Sequence, residues 1–387
     1  MRAEYLPFCL PLLGQEEIDE VVDTLKSGWL TTGPKTRRFE EAVALHVGAA
    51  HALGVSSCTA ALHLALAALD VGPGDEVILP TMTFAATANV VVHVGATPIL
   101  VDITPDTYNM DPDAVEAAIT PRTRAIIAVH FAGQPCDLDR LQAIADRHGA
   151  VLIEDAAHAI GAHWRGRPVG STSRAACFSF YPIKNMTTGE GGMLVTSDPV
   201  LEERARRLSL HGMSRDAWKR YSGSGSWFYE VVEAGFKYNM TDLEASLGIH
   251  QLARLEAWTG LREAYARRYD AAFADRFTVP YVDPRVRHAR HLYPLLVEGD
   301  RDGFIEGLRE RNIGTTVNFI PLHRHPFYRE RLGLRPEAFP NAEWYYARTV
   351  SLPLYPKMTE ADIDDVVAAV LEVSGREALV RGELRAP

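Results

Sequence analysis

The chain has 387 residues, of which 47% are hydrophobic and 23% charged, and its formal net charge is −10. This is ordinary globular composition, long enough for more than one domain, and its interspersed acids and bases, with no basic block, argue against nucleic acid as a partner. No segment reaches membrane-span length, whereas an anionic small molecule stays admissible, because a nest of backbone N–H groups binds phosphate even on an acidic protein.

The N-terminal apolar run from Leu6 to Leu13 carries two prolines and is followed by Gln15-Glu16-Glu17, which suits neither a signal peptide nor a membrane span. Ile18, Val21, Val22 and Leu25 recur at helical spacing and predict a helix over 14–28, ended by Gly28. A short strand is predicted over 51–57, then an Ala/Leu-rich helix from Cys58 to Leu69, stopped by Gly72-Pro73-Gly74. The pattern then alternates: strand Glu76–Pro80, helix Thr83–Val94, strand Pro98–Val101, helix Asp111–Ile119, strand Ala125–His130, helix Leu138–His148, and strand Val151–Glu154. Two further strands, Ala175–Phe180 and Met193–Thr196, precede a mildly basic helix over 200–210. Residues 211–236, rich in Gly, Ser and Trp, read as a long mobile loop. A long helix over 241–270 leads to strands near 292–297 and 315–320 and helices near 302–311 and 359–373, with a polar tail from Gly375 expected to fray.

Near-continuous apolar strands alternating with helices imply an α/β fold with a mainly parallel sheet covered on both faces. The division expected is a large domain over 1–250 and a smaller C-terminal α/β domain over 251–387. Ligands of such sheets gather at the carboxyl ends of the strands. Ser56-Ser57, Asp155 and the residues after Phe180 all fall at such ends. Cys9, Cys58, Cys136 and Cys177 are scattered, with no C-x-x-C and no zinc-like Cys/His spacing. They read as reduced thiols of a cytoplasmic protein without a metal site.

Lys184 carries the chemistry. The chain has only six lysines, yet one sits between the apolar Phe178-Ser179-Phe180-Tyr181-Pro182-Ile183 and Thr187-Thr188-Gly189-Glu190-Gly191-Gly192. An apolar-flanked amine suits a lysine held neutral by desolvation, the state that attacks carbonyls and forms Schiff bases. About thirty residues upstream, Ile153-Glu154-Asp155-Ala156-Ala157-His158 places an acid at the end of another apolar run. A Lys and an Asp at two strand ends are what pyridoxal 5'-phosphate (PLP) requires: the amine for the aldehyde, and the carboxylate to keep the pyridine nitrogen protonated. Gly54 to Leu62 reads as strand, tight turn and helix start, with free N–H groups and the hydroxyls of Ser57 and Thr59 suited to a phosphate. Plain N-capping by Ser57 is the competing role. Ser179 can reach the same phosphate or simply end its strand. His158 can orient Asp155, touch the cofactor or serve structure alone. Phe84 can stack on the ring or belong to the core.

Together these residues resemble the DegT/DnrJ/StrS sugar-nucleotide aminotransferases, from about Leu12 to about residue 370. The likeness runs through Ser27 to Pro34, Phe39-Glu40, the Ser56–Leu62 turn, Pro80–Phe84, Glu154 to His158 and Phe178 to Gly192. It ends with Gly235 to Asp242 and Ile320-Pro321-Leu322-His323. The resemblance implies PLP fold type I, aspartate aminotransferase-like, with a mainly parallel seven-stranded sheet. It implies that Lys184 is the Schiff-base lysine, Asp155 the pyridinium partner and His158 a further cofactor contact. Ser57, Cys58 (through its backbone), Thr59 and Ser179 match phosphate positions, and Phe84 the stacking aromatic. Lys237 or Asn239 matches a phosphate contact donated by the neighbouring subunit, which implies a homodimer with shared active sites. Tyr181 and His323 fall where relatives approach the sugar; a structural role for His323 is the alternative.

The expected activity is transfer of an amino group from an amino acid, L-glutamate first, to a nucleotide-linked keto-sugar, through pyridoxamine 5'-phosphate. A dTDP-4-keto-6-deoxyhexose is the first candidate. The loop over 211–236 is expected to help cover it. The alternatives are a 3-keto-sugar or amino-cyclitol aminotransferase of the same fold, a PLP-binding regulatory protein, and a cofactor-free α/β binding module.

Overall fold

A computed structural model describes residues 2–214 and 228–383. Seven strands form the central sheet: β1 (His51–Val55), β2 (Glu76–Pro80), β3 (Thr97–Val101), β4 (Thr123–Val129), β5 (Val151–Asp155), β6 (Ala175–Ser179) and β7 (Gly192–Thr196). Their order across the sheet is β1-β7-β6-β5-β4-β2-β3. Only β7 runs against the rest: it pairs antiparallel with both β1 and β6, and all other pairs are parallel. The expected seven-stranded, mainly parallel architecture is therefore present. One edge of the sheet collects the carboxyl ends Val55, Pro80, Val129, Asp155 and Ser179 and the start of β7 at Gly192.

Burial on both faces follows from composition. Val77, Ile78 and Leu79, then Ile126, Ile127 and Ala128, then Ala175, Ala176, Cys177 and Phe178 are all buried, as continuous apolar runs in a covered parallel sheet must be. One face carries α3 (Cys58–Ala68), α4 (Ala85–His93) and α7 (Pro199–Ser209), following α1 (Gln15–Ser27) and α2 (Pro34–Val47) in the chain. The Ala/Leu sequence of α3 leaves it buried nearly all round, between the sheet and its helical neighbours. Helices α5 (Pro112–Ala118) and α6 (Leu138–His148) pack with β3, β4 and β5.

Helix α8 (Asp242–Phe273) runs unbroken through residue 250, where the sequence suggested a division. Thr241 and Glu244 cap its start reciprocally. Buried Asp242 accepts hydrogen bonds from the backbone N–H and hydroxyl of Thr36, binding α8 to α2. Farther along, Tyr265, Tyr269 and Phe273 join a second core with Tyr293, Phe304, Val350 and Val366. That core is built on the antiparallel pair β8 (Tyr293–Leu296) and β9 (Thr349–Leu352) and on α9 (Arg301–Arg309) and α12 (Glu360–Glu383).

One sequence expectation changes. The strand near 315–320 is absent: Thr316 alone bridges to Ser351, and the chain then turns so that Thr316, Val317, Asn318 and Phe319 line a cavity. The partner of β8 is instead β9, preceded by α10 (Pro326–Leu332) and α11 (Pro340–Tyr346). The backbone helix α12 passes Gly375 and reaches Glu383. Within the loop expected over 211–236, Met213 bridges Val231; residues 215–227 lie outside the described residues.

Phe39 of α2 is wholly buried, its ring 5.3 Å from that of Phe180. A Cβ on Gly248 of α8 would stand 2.5 Å from that ring. Gly248→Val should therefore lower stability by about 1–3 kcal/mol through overpacking, read as a reduced urea midpoint. An unchanged midpoint would mean that the contact between α2 and α8 is loose.

Candidate active site

The common edge of strand ends opens into a cavity of about 620 Å³. At the end of β1 the chain turns through Ser56 and Ser57 into α3. Ser57 accepts a hydrogen bond from Ala60 N–H at 3.1 Å, so its hydroxyl caps the helix. The first-turn N–H groups of Cys58 and Thr59 have no intrahelical carbonyl to meet, and both residues line the cavity. A Cβ on Gly192 would stand 2.4 Å from Ser57 C and Cys58 N, so glycine is what lets β7 start directly beneath this turn.

Asp155 ends β5 and is buried. One carboxylate oxygen accepts the Thr87 hydroxyl at 2.8 Å, and the other accepts Ala157 N–H at 3.2 Å. Burial raises its pKa, while Thr87, Ala157 and the Lys184 charge pull the other way. His158 follows, its ring packed at a tilt against His291 at 4.2 Å and stacked with Phe319 at 5.8 Å. Its Nδ1 is buried and unpartnered among the described residues. Desolvation, assisted by Lys184 and His130, drives its pKa well below the usual range and keeps the ring neutral.

Lys184 stands in the turn after β6, its N–H bonded to Tyr181 O at 2.9 Å. Thr187 Oγ1 and Thr188 N–H both donate to Phe180 O, closing that loop. The amine keeps a face open to the cavity, but the surrounding protein strips it of bulk water and lowers its pKa to about 8; Cys58, Asp155 and Cys9 oppose the shift. About a tenth of Lys184 is then a neutral nucleophile at pH 7, far more than for an exposed lysine.

Of the residues singled out from sequence, Ser57, Cys58, Thr59 and Phe84 line this cavity together with Asp155, His158, Ser179, Tyr181 and Lys184. Phe84 is 65% exposed, so it is an open wall of the cavity and not a core aromatic. Lys237 and Asn239 lie outside the lining; the Lys237 amine donates to Asn239 Oδ1, and Asn239 Nδ2 to the Thr32 hydroxyl. His323 is not brought to the cavity. It is wholly buried, bonded to Thr81 Oγ1 at 2.7 Å and Glu343 Oε1 at 2.6 Å, and stacked on Phe339. The sequence places it beside a turn, but its ring faces inward, where it ties that turn to β2 and α11.

The residues present fit PLP. An amine of lowered pKa, a buried carboxylate, a free helix start and an open aromatic share one cavity, and an unpartnered buried imidazole forms part of its wall.

The sequence profile of the DegT/DnrJ/EryC1/StrS aminotransferase family matches residues 11–371. The chain belongs to this family. It is 52% identical over 380 residues to the spore coat polysaccharide biosynthesis protein SpsC of Bacillus subtilis, covering 96% of this chain and 98% of that one. Spr1654 of Streptococcus pneumoniae, designated a sugar aminotransferase and solved in PLP and PMP forms, is 38% identical, with a TM-score of 0.91 over 96% of this chain and 99% of its own. Helicobacter pylori PseC, an aminotransferase involved in pseudoaminic acid biosynthesis, is 29% identical, with a TM-score of 0.89 over 96% and 99%. The family and the fold of its solved members agree with the resemblance carried by the Lys184 and Asp155 motifs.

Sequence reasoning missed Thr87, His291 and Phe319. Thr87 lies one helical turn after Thr83, whose hydroxyl it meets at 2.8 Å; that spacing was available as a signal. His291 and Phe319 come from the far half of the chain and had no local signal. Thr87→Val removes a hydrogen bond to a charged group, typically ~1.5–3 kcal/mol, and should raise the Asp155 pKa by about one unit or more. Carboxyl-carbon NMR titration measures it; an unmoved titration would mean that Thr87 does not favour the ionised form of Asp155.

Proposed function

We propose that this chain is a PLP-dependent aminotransferase that moves an amino group from an amino acid, first L-glutamate, to a keto-sugar carried on a nucleoside diphosphate. The observation that carries this reading is the Lys184 amine, lowered to about 8 and walled into one cavity with buried Asp155. The sugar class is supported by the polysaccharide and pseudoaminic acid assignments of SpsC and PseC. A dTDP-4-keto-6-deoxyhexose is the first substrate to try, and a 3-keto-sugar nucleotide or a keto-inositol the next.

When bound, PLP supplies an aldehyde that amines condense with and a ring that accepts electrons from the adjacent carbon. The chain supplies everything else. The helix start at Cys58 and Thr59, with the Ser179 hydroxyl, would hold the phosphate. Asp155, whose ionised form Thr87 and Ala157 favour against its burial, would pair with a protonated ring nitrogen. Phe84 would cover one ring face, and His158, neutral, would meet a ring substituent. Lys184 Nζ would take the proton from the substrate carbon and deliver it to its new position. Tyr181, at the open side of the cavity, would meet the sugar. Lys237 or Asn239 from a second copy would add a phosphate contact, making the working enzyme a homodimer. Such a soluble biosynthetic role fits a cytoplasmic protein; among the described residues no helix is long and apolar enough to cross a membrane.

The Lys184→Ala variant should bind PLP without becoming covalently attached, and should lose turnover by roughly two to four orders of magnitude while its circular dichroism is unchanged. Normal turnover in that variant would refute the reading. Amination of a keto-sugar nucleotide, against none of keto-inositol, fixes the substrate class; bound PLP with no amine exchange from any donor would favour a regulatory protein. The sign of the pH effect follows from the lowered amine. Covalent capture of PLP by the apo-protein should rise about tenfold per pH unit below the amine pKa and level off above about 8. Capture that levels off only near the ordinary lysine value would mean that Lys184 is not desolvated.

A further inference from the structure

His291 lies before β8, in the half of the chain remote from the Lys184 motif, yet it lines the same cavity. Its placement is tightly built. Ala289 N–H donates to Gly133 O, and the N–H groups of His291 and Leu292 both donate to Ala132 O. Gly133 has φ +94°, and a Cβ there would stand 2.8 Å from His158 O and 3.1 Å from His291 N. Glycine at 133 is what allows the segment 289–291 to lie against His158.

The hydrogen bonds fix which proton His291 carries. Asn185, next to Lys184, is buried and donates from Nδ2 to Ala289 O at 2.7 Å. A carbonyl only accepts, so the amide of Asn185 must face Ala289 with its nitrogen and His291 with its oxygen. His291 Nδ1 lies 2.9 Å from that oxygen. It must therefore be the donor, and Nε2 carries the lone pair of the neutral ring. The groups facing His291 are His158, Lys184, Arg262 and His288, which with burial hold its ring neutral. Those facing Lys184 are Cys58, Asp155 and Cys9, with His158 across the cavity. The ring of His291 packs against that of His158, with centroids 4.2 Å apart and planes tilted by 33°.

We infer that His291 is a positioning residue for Lys184: its Nδ1–H clamps Asn185 and so the lysine turn, and its ring backs His158 at the same time. One side chain thus holds two cavity walls, the turn after β6 and the turn after β5, from a segment that belongs to neither. The inference rests on the reading of Lys184 as the PLP-binding amine.

Two variants separate the parts. His291→Phe keeps a ring against His158 but loses the donor to Asn185. His291→Asn keeps a donor near the Nδ1 position and loses the ring. The readout is covalent capture of PLP by apo-protein, followed by absorbance across pH. In capture the Lys184 nitrogen adds to the aldehyde carbon and one water leaves. H291F should capture at least tenfold more slowly than the wild type at neutral pH. Its pH midpoint should move up by about one unit, because a loosened turn lets water reach the amine. H291N should retain the wild-type midpoint, a rescue that a merely space-filling role would not give. Wild-type rate and midpoint in H291F would overturn the proposal, as would equal loss in both variants. If H291F does not fold, as judged by circular dichroism and melting, Asn185→Ala carries the same prediction from the other partner. Failure of the wild-type chain to capture PLP would overturn the functional reading, and this proposal with it; wild-type capture with an unaltered H291F overturns the proposal alone.

Discussion

The site depends on one constraint, the removal of bulk water from a lysine amine. An exposed lysine is protonated at neutral pH and cannot attack a carbonyl. Lys184 follows a strand buried on both faces and enters a turn whose carbonyls and hydroxyls are already committed to each other. The fold brings the amine to a place where water is scarce and a single carboxylate, Asp155, is close enough to act on it without neutralising the effect of burial. The sheet makes this possible because β5 and β6 are adjacent and parallel, so both chain segments leave the sheet at the same edge.

The buried acid presents the opposite problem. Desolvation favours the protonated form of Asp155, and a neutral carboxylic acid is a poor partner for a ring nitrogen that must stay charged. The Thr87 hydroxyl and Ala157 N–H both donate to it, favouring the ionised form. Burial pushes both the Lys184 amine and the Asp155 carboxyl towards neutrality; at the acid, the Thr87 and Ala157 donors oppose that drift.

Much of this was legible in the sequence because its signals are local. The apolar runs at 76–80, 125–130 and 175–180 named their strands. An acid and a lysine at the ends of such runs named the chemistry, since strand ends are where ligands meet a parallel sheet. What failed to show itself is non-local. The expected strand at 315–320 is a cavity wall, because its backbone is claimed by Ser351 at a single residue and its side chains by the site. His323 looked like a site residue beside its Pro321-Leu322 turn, but Thr81 and Glu343, far away in sequence, draw its ring into the core. Thr87 and His291 matter only through what the fold sets against them.

The account stands or falls on where the cofactor becomes attached. Reducing the PLP-loaded protein with borohydride and mapping the modified peptides by mass spectrometry reads this directly. The account predicts a single phosphopyridoxyl group, on the peptide that carries Lys184. A label on another lysine, or none on a protein whose fold is intact, would contradict it.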